Sequence, residues 1–280
     1  TIGAMSVGER GVYNAAWTPL LFDVDTIPFP APGREQACLD ALEAACARHP
    51  AGFVVEPLIL GAGGMFVYSA DVLREMAAIC RRHGVLLIAD EVMTGWGRTG
   101  AIFACEQAGV VPDIMAVAKG ITGGAIPLAA TLATAPIFEA HRSSDRARLF
   151  YHSSSYTANP IACAAAVANV AIWREKDVLG RIKQLAQTMA DRLATLACSP
   201  AFANPRQAGT IVAIDLVTPD AGYLSDLAPR LRLFFQDRGL LLRPLGNTIY
   251  LMPPYCLDAQ QLDRIFAALH AAGEKFGLHA

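Results

Sequence analysis

The chain has 280 residues, of which 54% are hydrophobic and 17% charged, and its formal net charge is −2. A chain of this length can bury a large core and can form two domains, and its composition excludes an intrinsically disordered protein. The nearly balanced charge offers no broad attraction to nucleic acid or to an anionic membrane, so we expect a small-molecule partner.

The cysteines and the apolar segments restrict the setting of the protein. Its seven cysteines are scattered and form no C-x-x-C pair, and the histidines lack ligand spacing, so we expect neither a disulfide framework nor a metal site. No apolar stretch reaches the roughly 18 residues needed to span a bilayer, and no signal-peptide pattern is present. We therefore expect a cytoplasmic protein.

The first half of the chain alternates between helical and strand patterns. Helical spacing predicts a helix over residues 35–49, which is followed by a strand in AGFVVEPLIL and a glycine-rich turn, GAGGM. Ser69 and Gly84 mark the start and end of the next helix, and the strand VLLIAD follows at once. A segment near residues 104–108, the strand DIMAVAKG and PLAATLAT continue the alternation. This order predicts an α/β fold with a mostly parallel sheet and flanking helices.

The second half of the chain has a different pattern. Asn159 and Pro160 begin an alanine-rich helix, and a long helix extends from about residue 177 to residue 196. Short strands are predicted in GTIVAIDLV, LLLRPLG and TIYLMPP, with helices near residues 227–238 and 258–274. We interpret residues 1–175 as a large domain and residues 176–280 as a smaller α+β domain.

Two ionisable residues stand at the ends of predicted strands, Asp90 after VLLIA and Lys119 after DIMAVA. Ligands bind at the carboxyl ends of strands in open α/β sheets, so the two residues are candidates for one site. A desolvated lysine can act as a nucleophile, and an aspartate suits the pyridinium nitrogen of pyridoxal phosphate (PLP). The alternative is that Asp90 caps a loop and Lys119 is a solvated charge.

Two neighbouring segments favour a phosphate-bearing ligand at this site. The glycines in residues 120–124 would let the backbone approach a ligand closely. Ser153, Ser154 and Ser155 precede a helix start, where free N–H groups and the helix dipole favour phosphate. No P-loop and no G-x-G-x-x-G motif assigns the phosphate to a nucleotide.

These motifs carry a resemblance to a known family. Through ADEVMTGWGRTG, the lysine in AVAKGITGG, and HSSSYTANPIACAAA, the chain resembles the class III, fold-type I, PLP-dependent aminotransferases. The resemblance implies that Lys119 holds the cofactor and carries protons, and that Asp90 pairs with the pyridine nitrogen. It also implies that Ser154 and Ser155 contact the cofactor, Ser155 from the neighbouring subunit of a homodimer that shares its active sites.

Within the class, RPLGNTIYLMPPY and GAGGM resemble the branch that aminates 8-amino-7-oxononanoate with S-adenosylmethionine in biotin biosynthesis. This resemblance implies that Arg243 binds the substrate carboxylate and that Tyr250 and Ser153 line the same pocket. The alternatives are that Arg243 is a charge on an edge strand, that Tyr250 is a core residue, and that Ser155 caps a helix.

Several features leave other functions open. Ser153 and Ser155 replace the usual glycine and threonine of the family, Leu60 replaces a common glutamine, and Leu245 stands where an aromatic residue is usual. A general ω-amino-acid:pyruvate aminotransferase is therefore the second hypothesis, and a silent binding module is the third. Nothing matches the N-terminal phosphate loop of the family, so we expect this chain to be a fragment.

Two further charged residues receive structural interpretations only. Glu56 follows an apolar run and is interpreted as part of a structural salt bridge, and Arg98 as a residue that orders its own loop.

Overall fold

The computed structural model describes residues 1–152 and 155–278. The helices are α1 (Ile2–Val7), α2 (Glu35–Cys46), α3 (Ala70–His83), α4 (Ala104–Gln107), α5 (Ala135–His141), α6 (Pro160–Glu175), α7 (Val178–Leu196), α8 (Leu227–Gln236) and α9 (Ala259–Phe276). The strands are β1 (Gly52–Val55), β2 (Ile59–Leu60), β3 (Phe66–Val67), β4 (Leu86–Asp90), β5 (Ile114–Val117), β6 (Ala130–Ala133), β7 (Phe202–Ala208), β8 (Ile211–Leu216) and β9 (Thr248–Leu251).

The first half of the chain forms a sheet in the order β1-β4-β5-β6. The β1–β4 and β4–β5 pairs are parallel, and only β6 runs antiparallel to its neighbour. Helices α2 and α3 pack together, and their apolar residues form one buried cluster with Leu87 and Ala89 of β4. The predicted α/β architecture with a mostly parallel sheet is confirmed.

Local signals fix the segment that leads into the site. The Ser69 Oγ accepts the N–H of Val72 at 3.3 Å and caps α3. The helix ends at Gly84, whose φ of +67° lies in the left-handed region where glycine has no steric penalty. Strand β4 starts two residues later, so Asp90 stands at its carboxyl end as predicted.

The prediction of a single strand over AGFVVEPLIL is wrong. Strand β1 ends at Val55, and residues 59–60 form β2, which pairs antiparallel with β3 in a separate two-stranded sheet. Pro57 has no N–H to continue a ladder, and Leu58 has a φ of +66° that turns the chain. The break leaves Glu56 at the end of β1 rather than inside a strand.

The second half of the chain forms an antiparallel sheet in the order β7-β8-β9. Side chains of α7, α8 and α9 pack on this sheet in one apolar cluster that includes Met189, Phe235, Ile214 and Leu269. This half of the chain therefore combines an antiparallel sheet with three packed helices, referred to below as the small unit. The division into two domains between residues 175 and 176 stays a prediction.

Two strand assignments in this unit differ from the sequence-based ones. Strand β7 was not predicted. It contains Pro205, which is tolerated at the sheet edge beside an irregular register near Ala203 and Arg206. The predicted strand LLLRPLG is wrong, since only Leu245 pairs there, in an isolated bridge with Thr248. Arg243 accordingly lies in a loop between α8 and β9.

Among the helices of the described residues, none has both the length and the apolar character needed to cross a bilayer.

Candidate active site

Three ionisable side chains stand at neighbouring strand ends of the main sheet. The register pairs Val55 with Ala89, so Glu56 and Asp90 follow side by side at the ends of β1 and β4. Asp90 in turn pairs with Ala116 of β5, and Lys119 comes three residues later. The structure therefore brings Asp90 and Lys119 to the same edge of the sheet, and adds Glu56 to them.

Asp90 is half-buried and has one carboxylate oxygen already engaged. Its Oδ1 accepts the N–H of Val92 at 3.0 Å, which fixes the orientation of the carboxylate. No described residue donates a hydrogen bond to Oδ2, so this oxygen can accept a donor from a ligand. A carboxylate held in this way suits a protonated ring nitrogen.

Lys119 begins a short 3-10 turn directly after β5, and its backbone is unusual. Its φ is +47°, a left-handed conformation that is uncommon for a residue with a side chain and that recurs at functional sites. The carbonyl oxygen of Lys119 accepts the N–H of Gly124 at 3.2 Å, which closes the turn. The exposed Lys119 amine makes no hydrogen bond or ion pair within the described part of the chain.

Helix α6 and the loop after β4 hold the Lys119 turn in place. Asn169 of α6 donates to the carbonyl oxygens of Gly120 and Ile121 at 2.9 and 3.2 Å. A Cβ on Gly120 would lie 2.4 Å from the Cβ of Trp96, so glycine is required there by the tryptophan. The sequence predicted that the glycines here let the backbone approach a ligand. At Gly120 the group that the backbone approaches is Trp96.

Glu56 is the site residue that the sequence-based interpretation missed. Its Oε2 accepts the N–H of Gly61 at 3.0 Å, and it forms no salt bridge among the described residues, so the expected structural salt bridge is absent there. Burial raises the pKa of Glu56, and the charge of Asp90 raises it further, whereas the Gly61 N–H and the charge of Lys119 lower it. The signal available in the sequence was its place after an apolar run and before a proline.

A second group of polar side chains surrounds Arg243. Arg243 is exposed and forms no ion pair with any described residue, and Tyr250 on β9 is half-buried. The ring of Tyr13 contacts that of Tyr223 with centroids 4.8 Å apart. Partial burial and the Tyr223 hydroxyl raise the pKa of Tyr13 to about 12, whereas the charge of Arg243 lowers it and Tyr250 raises it. Tyr13 and Tyr223 are therefore in contact, and Arg243 and Tyr250 lie within electrostatic range of Tyr13. Sequence reasoning had grouped only Arg243 with Tyr250.

One apolar cluster includes residues from the neighbourhood of Asp90 and from β9. Met93, three residues after Asp90, and Tyr250 both pack against the buried side chains of Ile59, Met65, Ile211 and Ala213. Tyr250 is thus partly buried against the core, so the alternative that it is a core residue is correct in part.

Arg206 connects the small sheet to the GAGGM turn. Its Nη2 donates to the carbonyl oxygen of Gly64 at 2.6 Å and its Nε to that of Met65 at 3.0 Å. It also forms an ion pair with Asp215 at 2.8 Å. The turn that donates to Glu56 is in this way attached to the sheet that carries Tyr250.

Arg98 makes a second connection between the two sheets. Its Nη1 donates to the carbonyl oxygen of Pro253 at 2.6 Å, and its guanidinium lies 4.7 Å from the ring centroid of Tyr255. The Arg98 carbonyl oxygen accepts the N–H of Thr210 at 2.9 Å. Arg98 therefore does more than order its own loop, because it holds that loop against the small unit.

The serine segment before α6 is described only in part. Ser153 and Ser154 lie outside the described residues. Ser155 is exposed in a turn, and the cap of α6 is formed by Asn159, whose Oδ1 accepts the N–H groups of Ile161 and Ala162. The alternative that Ser155 caps this helix is therefore wrong.

The residues at the sheet edge fit PLP by their chemistry. Asp90 has an oxygen open to a ring N–H, and Lys119 has an amine without a hydrogen-bond partner in the described residues. In the same described ranges, no group of three or more His, Cys, Asp or Glu side chains is arranged to hold a metal ion. An acid and a lysine at adjacent strand ends match the pair of side chains by which PLP-dependent enzymes hold their cofactor.

The family comparison agrees with this class. The model of the class-III aminotransferases matches residues 1–272, and the chain belongs to this family. It is 44% identical over 278 residues to the adenosylmethionine-8-amino-7-oxononanoate aminotransferase of Synechococcus elongatus, with 96% of this chain and 65% of the relative covered. The protein of the same description from Geobacter sulfurreducens is 38% identical, with 94% and 62% covered. The chain therefore spans less than two thirds of these curated relatives.

Solved structures show the same fold. The adenosylmethionine-8-amino-7-oxononanoate aminotransferase of Methanocaldococcus jannaschii superposes with a TM-score of 0.92 at 30% identity, covering 99% of this chain and 66% of that one. A PLP-bound amine transaminase from an uncultivated Pseudomonas species gives a TM-score of 0.89 at 32% identity, covering 99% and 67%.

Proposed function

We propose that this chain is part of a PLP-dependent aminotransferase that converts 8-amino-7-oxononanoate to 7,8-diaminononanoate in biotin biosynthesis, with S-adenosylmethionine as amino donor. The observation that carries the proposal is the adjacency of Asp90 and Lys119 at the ends of β4 and β5, with Lys119 in a left-handed turn. The names of the relatives support the choice of substrates.

Each residue at the sheet edge has a distinct proposed role. PLP, when bound, supplies an electrophilic carbon for amines and a ring that accepts the electron pair of a deprotonated carbon. The Lys119 Nζ holds the cofactor, takes a proton from the amine-bearing carbon of the donor, and delivers one to the acceptor carbon. The negative charge of Asp90 keeps the ring nitrogen protonated. Glu56 lies beside both and keeps its own proton more readily than an exposed carboxyl group.

Arg243 is the proposed anchor for the substrate carboxylate. A planar guanidinium binds a carboxylate through two parallel hydrogen bonds, and Arg243 has no competing ion pair among the described residues. Tyr250 is proposed to line the same pocket, and so is Ser153.

Covalent trapping tests the assignment of the lysine. Protein incubated with PLP is reduced with borohydride, and the modified peptide is identified by mass spectrometry. We expect the label on Lys119, and we expect Lys119→Ala to lose it. Lys183→Ala, a change at an exposed position of α7, should keep it. A label that persists in Lys119→Ala would show that another lysine holds the cofactor. Asp90→Asn should keep the label but lose roughly 100-fold or more in transamination rate.

The amino donor is decided by a separate assay. Mass spectrometry of 7,8-diaminononanoate formed with S-adenosylmethionine, alanine or an ω-amino acid distinguishes the donors. The similarity to an amine transaminase favours a second candidate, a general ω-amino-acid:pyruvate aminotransferase. Turnover with alanine or an ω-amino acid, but not with S-adenosylmethionine, would establish that candidate instead.

We further propose a cytoplasmic homodimer with shared active sites, in which Ser155 contacts the cofactor phosphate of the partner subunit and Ser154 also contacts the cofactor. The exposed position of Ser155 supports a contact with a partner subunit. The free cysteines support a reducing compartment. Light scattering after size exclusion should give twice the chain mass. A monomer that retains full transaminase activity would refute the shared site.

A further inference from the structure

We propose that Tyr13 and Tyr223 complete, with Arg243 and Tyr250, a binding subsite for the carboxylate end of an aliphatic substrate. Neither Tyr13 nor Tyr223 lies in the motifs quoted above, and they lie in opposite halves of the chain. The inference rests on the proposed function, because it names two further residues that select the substrate of that reaction.

The two rings present accessible aromatic surface beside the arginine. Tyr13 is 54% exposed and Tyr223 is 39% exposed, although their centroids are only 4.8 Å apart. Exposed aromatic residues that contact each other offer a wall on which an aliphatic chain can lie. The pair therefore supplies apolar surface next to a cation.

The charges in this region favour an anion. Arg243 is the cation that acts electrostatically on the Tyr13 hydroxyl, where it lowers the pKa. Arg243 has no ion pair among the described residues, so its charge is available to a ligand. A carboxylate entering this group would meet one guanidinium and several phenol O–H donors.

The chemistry of Tyr13 keeps it a donor under working conditions. Partial burial and the neighbouring Tyr223 hydroxyl hold its pKa at about 12, so it is neutral near pH 7. A neutral phenol donates a hydrogen bond to a carboxylate, whereas an ionised one would repel it.

The loop that carries Tyr223 is fastened to the Arg243 segment. Gly222 donates its N–H to the Asn247 Oδ1 at 3.1 Å, four residues after Arg243. A Cβ on Gly246 would lie 1.9 Å from the Gly222 carbonyl oxygen, so only glycine allows this approach. Tyr223 and Arg243 are consequently held in one unit.

The position of Tyr13 is fixed by the turn around its neighbour. Asn14 is buried, its Oδ1 accepts the N–H of Gly11 at 3.0 Å, and its Nδ2 donates to the Glu9 carbonyl oxygen at 3.0 Å. Tyr13 therefore lies in a hydrogen-bonded turn, which holds it against Tyr223.

Binding of simple carboxylates tests the subsite without an amino donor. The probes are octanoate and acetate, measured by calorimetry on the purified protein, with inorganic phosphate and octylamine as comparisons. We expect Arg243→Gln to weaken octanoate binding about 10- to 100-fold, and Tyr13→Phe and Tyr223→Phe about 10-fold each. Tyr151→Phe is the control, because the exposed Tyr151 hydroxyl donates to the carbonyl oxygen of Arg146 in its own segment.

A second comparison separates the contributions of the Tyr13 ring and the Tyr13 hydroxyl to carboxylate binding. Tyr13→Phe should weaken octanoate and acetate by the same factor, since it removes a contact to the carboxylate. Tyr13→Ala should weaken octanoate further and leave acetate at the level of Tyr13→Phe, since it removes the wall for the chain. Thermal unfolding of each variant shows whether it is folded as the wild type is.

The inference is overturned if Tyr13→Phe and Tyr223→Phe bind octanoate as tightly as wild type, even when transamination proceeds. Phosphate or octylamine binding as tightly as octanoate overturns it as well. Octanoate binding with the expected pattern, but without amination of 8-amino-7-oxononanoate, would refute the proposed function and leave the carboxylate subsite in place.

Discussion

Replacing Arg206 with methionine should destabilise the protein far more than removing an arginine from a surface ion pair. The Arg206 guanidinium donates to the carbonyl oxygens of Gly64 and Met65 and forms an ion pair with Asp215. The side chains of Arg206 and Asp215 are only 10% and 15% exposed. Methionine would preserve much of the side-chain length but would leave three carbonyl groups, including that of Asn204, and one carboxylate without these donors.

The expected cost follows from burial. Removing one partner of a buried ion pair costs about 3–5 kcal/mol. The Asp215 carboxylate keeps hydrogen bonds from the Thr248 Oγ1 at 2.7 Å and the Asn204 Nδ2 at 3.0 Å, which places the cost near the lower limit, about 3 kcal/mol. For a chain of this size, that corresponds to a fall in Tm of roughly 10 °C.

Urea and thermal unfolding, followed by circular dichroism, measure this cost. The matched control is Arg48→Met, which removes an ion pair with Asp25 at 2.6 Å between side chains that are 59% and 65% exposed. That variant should lose about 1 kcal/mol or less. Equal losses in Arg206→Met and Arg48→Met would refute the role of Arg206 as a buried connection between the turn and the small sheet.

Three other changes have defined outcomes. Burial raises the pKa of Glu56, so the folded state holds this proton more tightly than the unfolded chain does, and wild-type stability falls as pH rises above the ordinary pKa of 4.5. Glu56→Gln should therefore raise Tm more at pH 7 than at pH 4. A difference in Tm that does not depend on pH would contradict this. Asn159→Ala should lower the free energy of unfolding by about 1 kcal/mol, because it removes the cap of α6, and Ser155→Ala should leave it unchanged. Equal losses in the two variants, measured by urea unfolding, would contradict this. Gly120→Ala should cost about 1–3 kcal/mol, because its Cβ would lie 2.4 Å from that of Trp96, and an unchanged Tm would show that the contact can relax.

The predictions that succeeded rest on short-range signals. Ser69 and Gly84 bound α3, the apolar run after them forms β4, and Asp90 ends it. A cap, a left-handed stop and an apolar run act within a few residues, so a sequence pattern is sufficient to place them. The α/β class and the sites of Asp90 and Lys119 at strand ends follow from the repetition of such units.

The predictions that failed depend on which strands meet. Strand β7 was not predicted, and it contains Pro205, a residue that the edge of a sheet tolerates. Pro57 and Leu58 divide an apolar run that looked continuous, and each half pairs in a different sheet. Strand propensity alone does not distinguish these outcomes, because the partner strand supplies the missing hydrogen bonds.

By itself, the sequence placed Lys119 and Asp90 at the ends of strands, and their surrounding motifs indicated the family to which the chain belongs. Only the tertiary structure added Glu56 beside them and brought Tyr13 against Tyr223. The reason is distance along the chain: Arg206 reaches Gly64 across 142 residues, and no local pattern encodes such a contact. Local sequence chooses each strand end, and the packing of two sheets decides which side chains share the site.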